Sequence, residues 1–255
     1  MPFTLTHIAA VLPIVTVWRG MPFSALVVGC MIPDLSLFLP IGPRYGVMHS
    51  FVGVPQACLP MGLVTFVLFQ NLVKVPVMSL LPVSLQERLA FCSLPIRTRS
   101  IGFWFRVMLG IVMGALTHVV WDAFTHSGRW GVQLFPGLAE TVHVGGVSIR
   151  GFKLLQYGSS VVFLPMMAVL LVMVLRRWPA MPVNGLCAIP RLGKIAIVSF
   201  VLGVPLIVAA LRIASMDLGL HGILFRLVTM AGGCFLVSVV GYAAAFHAVT
   251  RGRYV

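Results

Sequence analysis

Five long apolar runs, at residues 51–73, 101–124, 157–175, 195–211 and 224–249, constrain this chain more than any other feature. Each is close to the ~20 residues that a helix needs to cross the hydrocarbon of a bilayer, and each carries few charges or none. Lipid offers no partners to backbone N–H and C=O groups, so only helices or closed barrels can span it. A barrel needs repeated alternation of apolar and polar residues, which these runs lack. Composition agrees: 60% of the 255 residues are hydrophobic and 9% charged, against roughly 25% charged in soluble domains. The expectation is an all-α, polytopic integral membrane helix bundle of six or seven hydrophobic segments.

The count turns on the N-terminal region. Residues 5–17 are too few to cross alone, and residues 23–39 are borderline and contain Pro33-Asp34. They read as a half-membrane hairpin, or as two short tilted helices turning at Arg19-Gly20-Met21-Pro22. An ordinary signal peptide is not expected, because residues 1–18 hold no Lys or Arg and Pro13 interrupts the run. With no strong repeat, residues 1–255 read as a single membrane domain.

Basic residues sort the connections. Lys74, Arg88, Arg97 and Arg99 lie in 74–100, Arg176, Arg177, Arg191 and Lys194 in 176–194, and Arg251 and Arg253 in the tail. The positive-inside rule makes these segments cytoplasmic, the C-terminus included. Residues 40–50, 126–156 and 212–223 then lie outside. Within 74–100, three prolines suggest a broken segment with a short amphipathic piece around 84–91, and 127–156 reads as a longer outer loop. The net charge of +13 reports loop orientation or contact with anionic lipid, so the expected partner is the bilayer and not nucleic acid. Cys30, Cys58, Cys92, Cys187 and Cys234 form no CxxC pair and read as small apolar residues.

Against this background LTHVVWDAFTH, residues 116–126, is anomalous. A helix turns about 100° per residue, so His118, Asp122 and His126 stay on one face over ~12 Å. Ionisable groups inside a membrane are costly and normally face a partner or a wet cavity. The proposed topology sets further groups at the same level: His49-Ser50 at the outer start of the preceding helix, Asp34 near the end of 23–39, and His7 if 5–17 runs inward. Four imidazoles and two carboxylates offer the nitrogen and oxygen ligands of zinc, iron or manganese, with room for two ions. Metal-activated hydrolysis is the natural chemistry. Thr117 and Thr125 are candidate supporting donors, and Trp121 a packing wall.

The segments MPFTLTHIAAVLP, GCMIPDLSLF, MHSFVGVPQACLPMGL, GALTHVVWDAFTHSGRWGV and LLQYGSSVV resemble an uncharacterised family of bacterial integral membrane proteins opening MPFTxxH. That family is similar to membrane-bound, metal-dependent hydrolases whose pattern is an N-terminal His, a Pro-Asp, a His-Ser and a later His with Asp. The resemblance covers residues 1–175; the two helices within 176–255 add no motif. It implies a multi-pass protein of the bacterial inner membrane, with His7, Asp34, His49, His118 and Asp122 as metal ligands. Asp122 and His126 are the candidate catalytic pair, His126 belonging only to the extended form of the motif. A lipid-linked or phosphorylated substrate would suit a site at the membrane surface.

Each piece also has a plainer explanation. Pro33-Asp34 alone reads as a turn, His49-Ser50 as a helix start, and the 118/122/126 stripe as a hydrogen-bonding seam between helices. The rival functions are a transporter, an ion or proton pathway, or a membrane assembly protein using the same polar cluster. His143, His221 and His247 fall outside the set.

Overall fold

The structure, a computed structural model, describes residues 4–93, 100–182 and 189–250. In chain order it comprises α1 (Thr4–Val17) and α2 (Phe23–Phe38), both short and apolar, α3 (Tyr45–Met48), α4 (Val54–Leu80), α5 (Val83–Arg88) and α6 (Ala90–Ser93). There follow α7 (Ile101–Thr125), α8 (Trp130–Leu134), the antiparallel strands β1 (Thr141–Val144) and β2 (Val147–Arg150), α9 (Gly151–Arg177), α10 (Arg191–Ala214) and α11 (Leu220–Thr250). Five of these, α4, α7, α9, α10 and α11, are long and apolar enough to cross a membrane. The protein is thus a helical membrane protein, with two shorter apolar helices at its start.

The chain forms two compact units. The first holds α1, most of α2, α3, the first part of α4, α7, α8, the hairpin and most of α9. Its organising contact is α2 along α7. A Cβ on Gly114 would collide with the Leu26 carbonyl and the Cys30 nitrogen, and one on Gly29 with the Ile111 backbone. Lipid tails are as apolar as side chains, so helices in a membrane associate through close backbone approach at small residues. Val11, Met21, Leu26 and Cys30 fill one side of this contact, and Ile32, Met48, Ala57, Ala115 and Val119 the other.

The second unit holds Leu37–Pro40, the remainder of α4, α5, α6, α10 and α11. Here α4 departs from the sequence reading, running past residue 73 through Lys74 and Pro76 to Leu80. Pro76 has no N–H to return to the Leu72 carbonyl. A wider π-helical turn, Phe69–Val73, precedes it, and His247 Nε2 donates to Leu72 O at 3.0 Å. The Tyr242 hydroxyl donates to Pro76 O at 3.1 Å. His247 is therefore a structural residue that serves a proline-broken helix.

The connection 127–156 is also more ordered than a loop. It contains α8, a 3₁₀ turn at Pro136–Ala139 and a hairpin turning at Gly145 and Gly146, whose φ angles are 56° and 81°. Two positive-φ residues are what a tight hairpin turn requires. Within 74–100, α5 and α6 cover the expected amphipathic piece. Cys30 and Cys58 are buried, Cys92 and Cys234 half-buried, and all four are free thiols. Cys187, Arg97, Arg99, Arg251 and Arg253 lie outside the described residues.

Replacing Gly114 with Leu is expected to destabilise the protein by about 3 kcal/mol or more, because the clash is with backbone that cannot yield. Gly241→Leu, where a Cβ would meet nothing within 4 Å, is expected to be nearly neutral. Thermal unfolding in detergent measures both.

Candidate metal centre

Helix ends converge on the last two turns of α7. His118 and Asp122 stand one turn apart on that helix, so both face the same way. Asp34 comes from the 3₁₀ turn Ile32–Asp34 within α2, a tight turn that Pro33 tolerates near its start. His49 follows the last residue of α3, and His7 closes the first turn of α1. All five are buried, with exposures from 0% for His118 to 4% for His49.

Four of them form a group that could hold a metal ion: one ligand atom from each of Asp34, His49, His118 and Asp122 lies within 4.8 Å of all the others. His49 Nε2 is 3.2 Å from His118 Nε2. Asp34 Oδ1 lies 3.3 Å from His49 Nε2 and 3.6 Å from His118 Nε2. Asp122 Oδ2 lies 3.4 Å and 3.5 Å from the same two nitrogens. Ligands placed 2.0–2.2 Å from a tetrahedral ion are about 3.3–3.6 Å apart. Charge-assisted hydrogen bonds would be shorter, roughly 2.7–2.9 Å.

The surroundings turn each ligand atom inward. His118 Nδ1 donates to Cys30 O at 2.7 Å, and His49 Nδ1 donates to Tyr45 O at 3.0 Å. Each ring therefore carries a proton on Nδ1 and turns Nε2 toward the other, an arrangement usual around metal-binding histidines. Thr4 Oγ1 donates to Asp34 Oδ2 at 2.7 Å, leaving Oδ1 without a hydrogen-bond partner among the described residues. The Tyr45 ring lies 3.8 Å from that of His49, and Arg129 Nη1 donates to His49 O at 3.0 Å.

This arrangement falls within a recognised family. Residues 1–244 match the family described as "Domain of unknown function (DUF4184)". The chain belongs to that family. The match runs through α10 and into α11, beyond the region where motifs are visible. No curated protein and no solved structure matches the chain.

Two further groups flank the four in this family member. His7 stacks on His118, with ring centroids 3.7 Å apart and planes 14° from parallel, and its Nε2 is 3.6 Å from Asp122 Oδ1. His126 has left the helix, with φ −129° and ψ 136°, so the stripe of three is broken at its last member. Its Nδ1 still reaches Asp122 O and Thr125 Oγ1, each at 3.1 Å, and lies 3.6 Å from Asp122 Oδ1. Its Nε2 is 3.5 Å from the Gln156 amide nitrogen, and Gln156 Oε1 accepts from Lys153 Nζ at 2.8 Å. The His126 side chain is 20% exposed, against 0–3% for the other members of the cluster.

Electrostatics follow the same plan. Burial lowers the His49 pKa, but the Asp122 and Asp34 carboxylates outweigh it and raise the pKa above its ordinary value. Protonation of the His49 ring is thereby favoured. At His126 burial prevails over the Asp122 carboxylate and lowers the pKa. Burial, reinforced by the two carboxylates, raises the Tyr45 phenol.

Among the residues singled out by sequence, Thr117 turns away, donating to Gly114 O in its own helix at 2.7 Å. Thr125 touches His126, and Trp121 packs against Phe163 at 6.5 Å. His143 pairs with Ser148 on the exposed hairpin, apart from the group. Thr4 and Tyr45 were missed: a threonine three residues before a histidine is a faint signal, and the carbonyls of Cys30 and Tyr45 leave none.

Thr4→Val is expected to cost about 1.5–3 kcal/mol, the worth of a hydrogen bond to a charged group. Thr16→Val, which removes only a bond to Pro13 O within its own helix, is expected to cost less. Unfolding of the two variants in the same detergent provides the comparison.

Proposed function

We propose that this protein is a membrane-embedded, metal-dependent hydrolase centred on Asp34, His49, His118 and Asp122. The observation that supports this most is the pair of Nε2 atoms 3.2 Å apart, each on a ring whose other nitrogen is committed to a backbone carbonyl. Two buried nitrogens, with carboxylate oxygens beside them, stand at the spacing that ligands of one tetrahedral ion adopt. The nitrogen and oxygen donor set suits zinc best, with iron or manganese as alternatives. Two carboxylates balance the charge of one divalent ion, which offsets much of the cost of placing it in a buried site.

A bound ion of this kind supplies Lewis acidity toward a carbonyl or phosphoryl oxygen and lowers the pKa of water. The chain's own groups do the rest. The Asp122 carbonyl accepts the His126 Nδ1–H, which leaves Nε2 to take a proton from the attacking water. Burial lowers the pKa of that imidazole and so disfavours its protonated form. Lys153 orients Gln156, whose amide faces the same nitrogen. Arg129, beside His49, adds fixed positive charge suited to a phosphate or carboxylate. A lipid-linked or phosphorylated substrate fits an opening at the end of a helix long enough to span a bilayer. The basic connections favour a bacterial inner-membrane protein with a cytoplasmic C-terminus and the site toward the extracytoplasmic surface.

Purified protein exposed to Zn²⁺ is expected to retain at least one equivalent, and Asp122→Ala and His118→Ala are expected to bind at least 100-fold more weakly. Substoichiometric metal, unchanged in both variants, would leave the polar cluster as a helix-packing seam. Orientation is checked separately by a reporter fused after Val255, which should read as cytoplasmic; an external reading reverses the assigned side.

A further inference from the structure

We propose that Asp122 bridges two cations, Oδ2 serving the four-residue group and Oδ1 a second, open site that includes His7. The proposal rests on the metal reading above and divides its ligands. Four protein ligands complete a tetrahedral ion, an arrangement typical of closed structural sites, whereas catalytic sites keep a position open. The first ion alone therefore leaves hydrolysis without a vacant position. The unused groups of the cluster supply one.

His7 is 2% exposed, and among the described residues neither of its ring nitrogens has a hydrogen-bond partner. Asp122 Oδ1 is buried and likewise has no hydrogen-bond partner among the described residues. Leaving such groups unpaired costs about 1–3 kcal/mol each. The two lie 3.6 Å apart, the same separation found between His118 and Asp34 in the first group. Atoms spaced in this way are too far apart for a good hydrogen bond and well placed to share an ion.

His7 cannot simply be a fifth ligand of the first ion. Its ring lies face to face with that of His118, centroids 3.7 Å apart, and an imidazole lone pair lies in the ring plane. An ion in the plane of His118 is displaced from the plane of His7 by roughly the stacking distance, where His7 has no lone pair to offer. His7 also falls outside the group whose atoms all lie within 4.8 Å of one another. The second carboxylate oxygen of Asp122 is thus its natural partner. Carboxylates bridge ions in two-metal hydrolases, where the ions stand about 3.5–4 Å apart.

The remaining positions of the second ion face His126, the partly exposed member of the cluster. The nitrogen of His126 nearest Asp122 Oδ1 is Nδ1, at 3.6 Å, and its proton goes to the Asp122 carbonyl, while Nε2 lies beside the Gln156 amide; His126 is therefore not counted among the ligands of the second ion. With only two protein ligands, the second ion binds more weakly than the first and keeps room for water and substrate.

Titration of the full-length protein with Zn²⁺, read by elemental analysis, is expected to give two equivalents in two phases. His7→Ala should lose the weaker equivalent alone, and His126→Ala should keep both. In protein loaded with two equivalents of Mn²⁺, electron paramagnetic resonance should show a coupled pair, replaced in His7→Ala by the six-line signal of an isolated ion. His7→Gln serves if the alanine variant does not fold. One equivalent in the wild type, unchanged by either His7 variant, overturns the second site and leaves the first intact. Two uncoupled ions, or two equivalents retained without His7, also overturn it. No bound metal overturns both readings.

Discussion

The contact between α2 and α7 is the constraint on which the rest of the site depends. Gly29 and Gly114 let two backbones meet where any side chain would hold them apart, and the closeness brings Cys30 O within 2.7 Å of His118 Nδ1. That carbonyl takes the Nδ1–H of His118, which turns Nε2 of the same ring toward His49, Asp34 and Asp122. The acceptor is available because α2 tightens after Met31 into the 3₁₀ turn Ile32–Asp34. In a regular helix Cys30 O would receive the N–H of Asp34; a tightened turn shifts its bonds to i+3. The same local distortion frees the carbonyl that orients His118 and carries the carboxylate that faces it.

Burying this many ionisable groups demands compensation that hydrogen bonds only partly provide. Thr4, Tyr45 O and Cys30 O each satisfy one atom, and each satisfied atom is the outer one of its side chain. The inner atoms converge at 3.2–3.6 Å, a spacing poor for hydrogen bonds and good for coordination. A seam that merely joined helices would be expected to pair donors with acceptors. Here the two Nε2 atoms meet each other and both carboxylates at that spacing, which supports the metal reading. That spacing favours the metal reading over a packing seam.

The sequence announced the apolar helices, and the four residues that the structure gathers, Asp34, His49, His118 and Asp122, are among the six it singled out. The apolar runs identified the five long helices because length and continuity suffice for that inference. Their ends were legible only where charge or glycine marked them, and α4 ran on through Lys74 and Pro76 because tertiary partners, His247 and Tyr242, repair what proline breaks. The four-residue spacing of His118 and Asp122 survived folding because both lie inside one helix. His126 did not keep the helical register, since it stands just past the helix end, where the backbone is already turning toward α8. No pattern could reveal which oxygen of Asp122 meets which histidine, because that depends on rings stacking between α1 and α7.

Charge then connects the two-cation reading to the kind of molecule that would complete it. Of the five acidic residues in the chain, only Asp34 and Asp122 lie in the group, and their two negative charges balance one divalent ion. A second ion shares Asp122 and meets no further carboxylate, while Arg129 and Lys153 add positive charge nearby. Two unit charges 4 Å apart interact by about 4 kcal/mol at an effective dielectric of 20, so an excess of this size is not left uncompensated. On the two-cation reading, an anionic ligand at the open position would supply the balancing charge. On this argument the second ion and the substrate bind as a pair, and a phosphoester or another anionic headgroup is favoured over a neutral lipid by electrostatics before any shape of the pocket is considered.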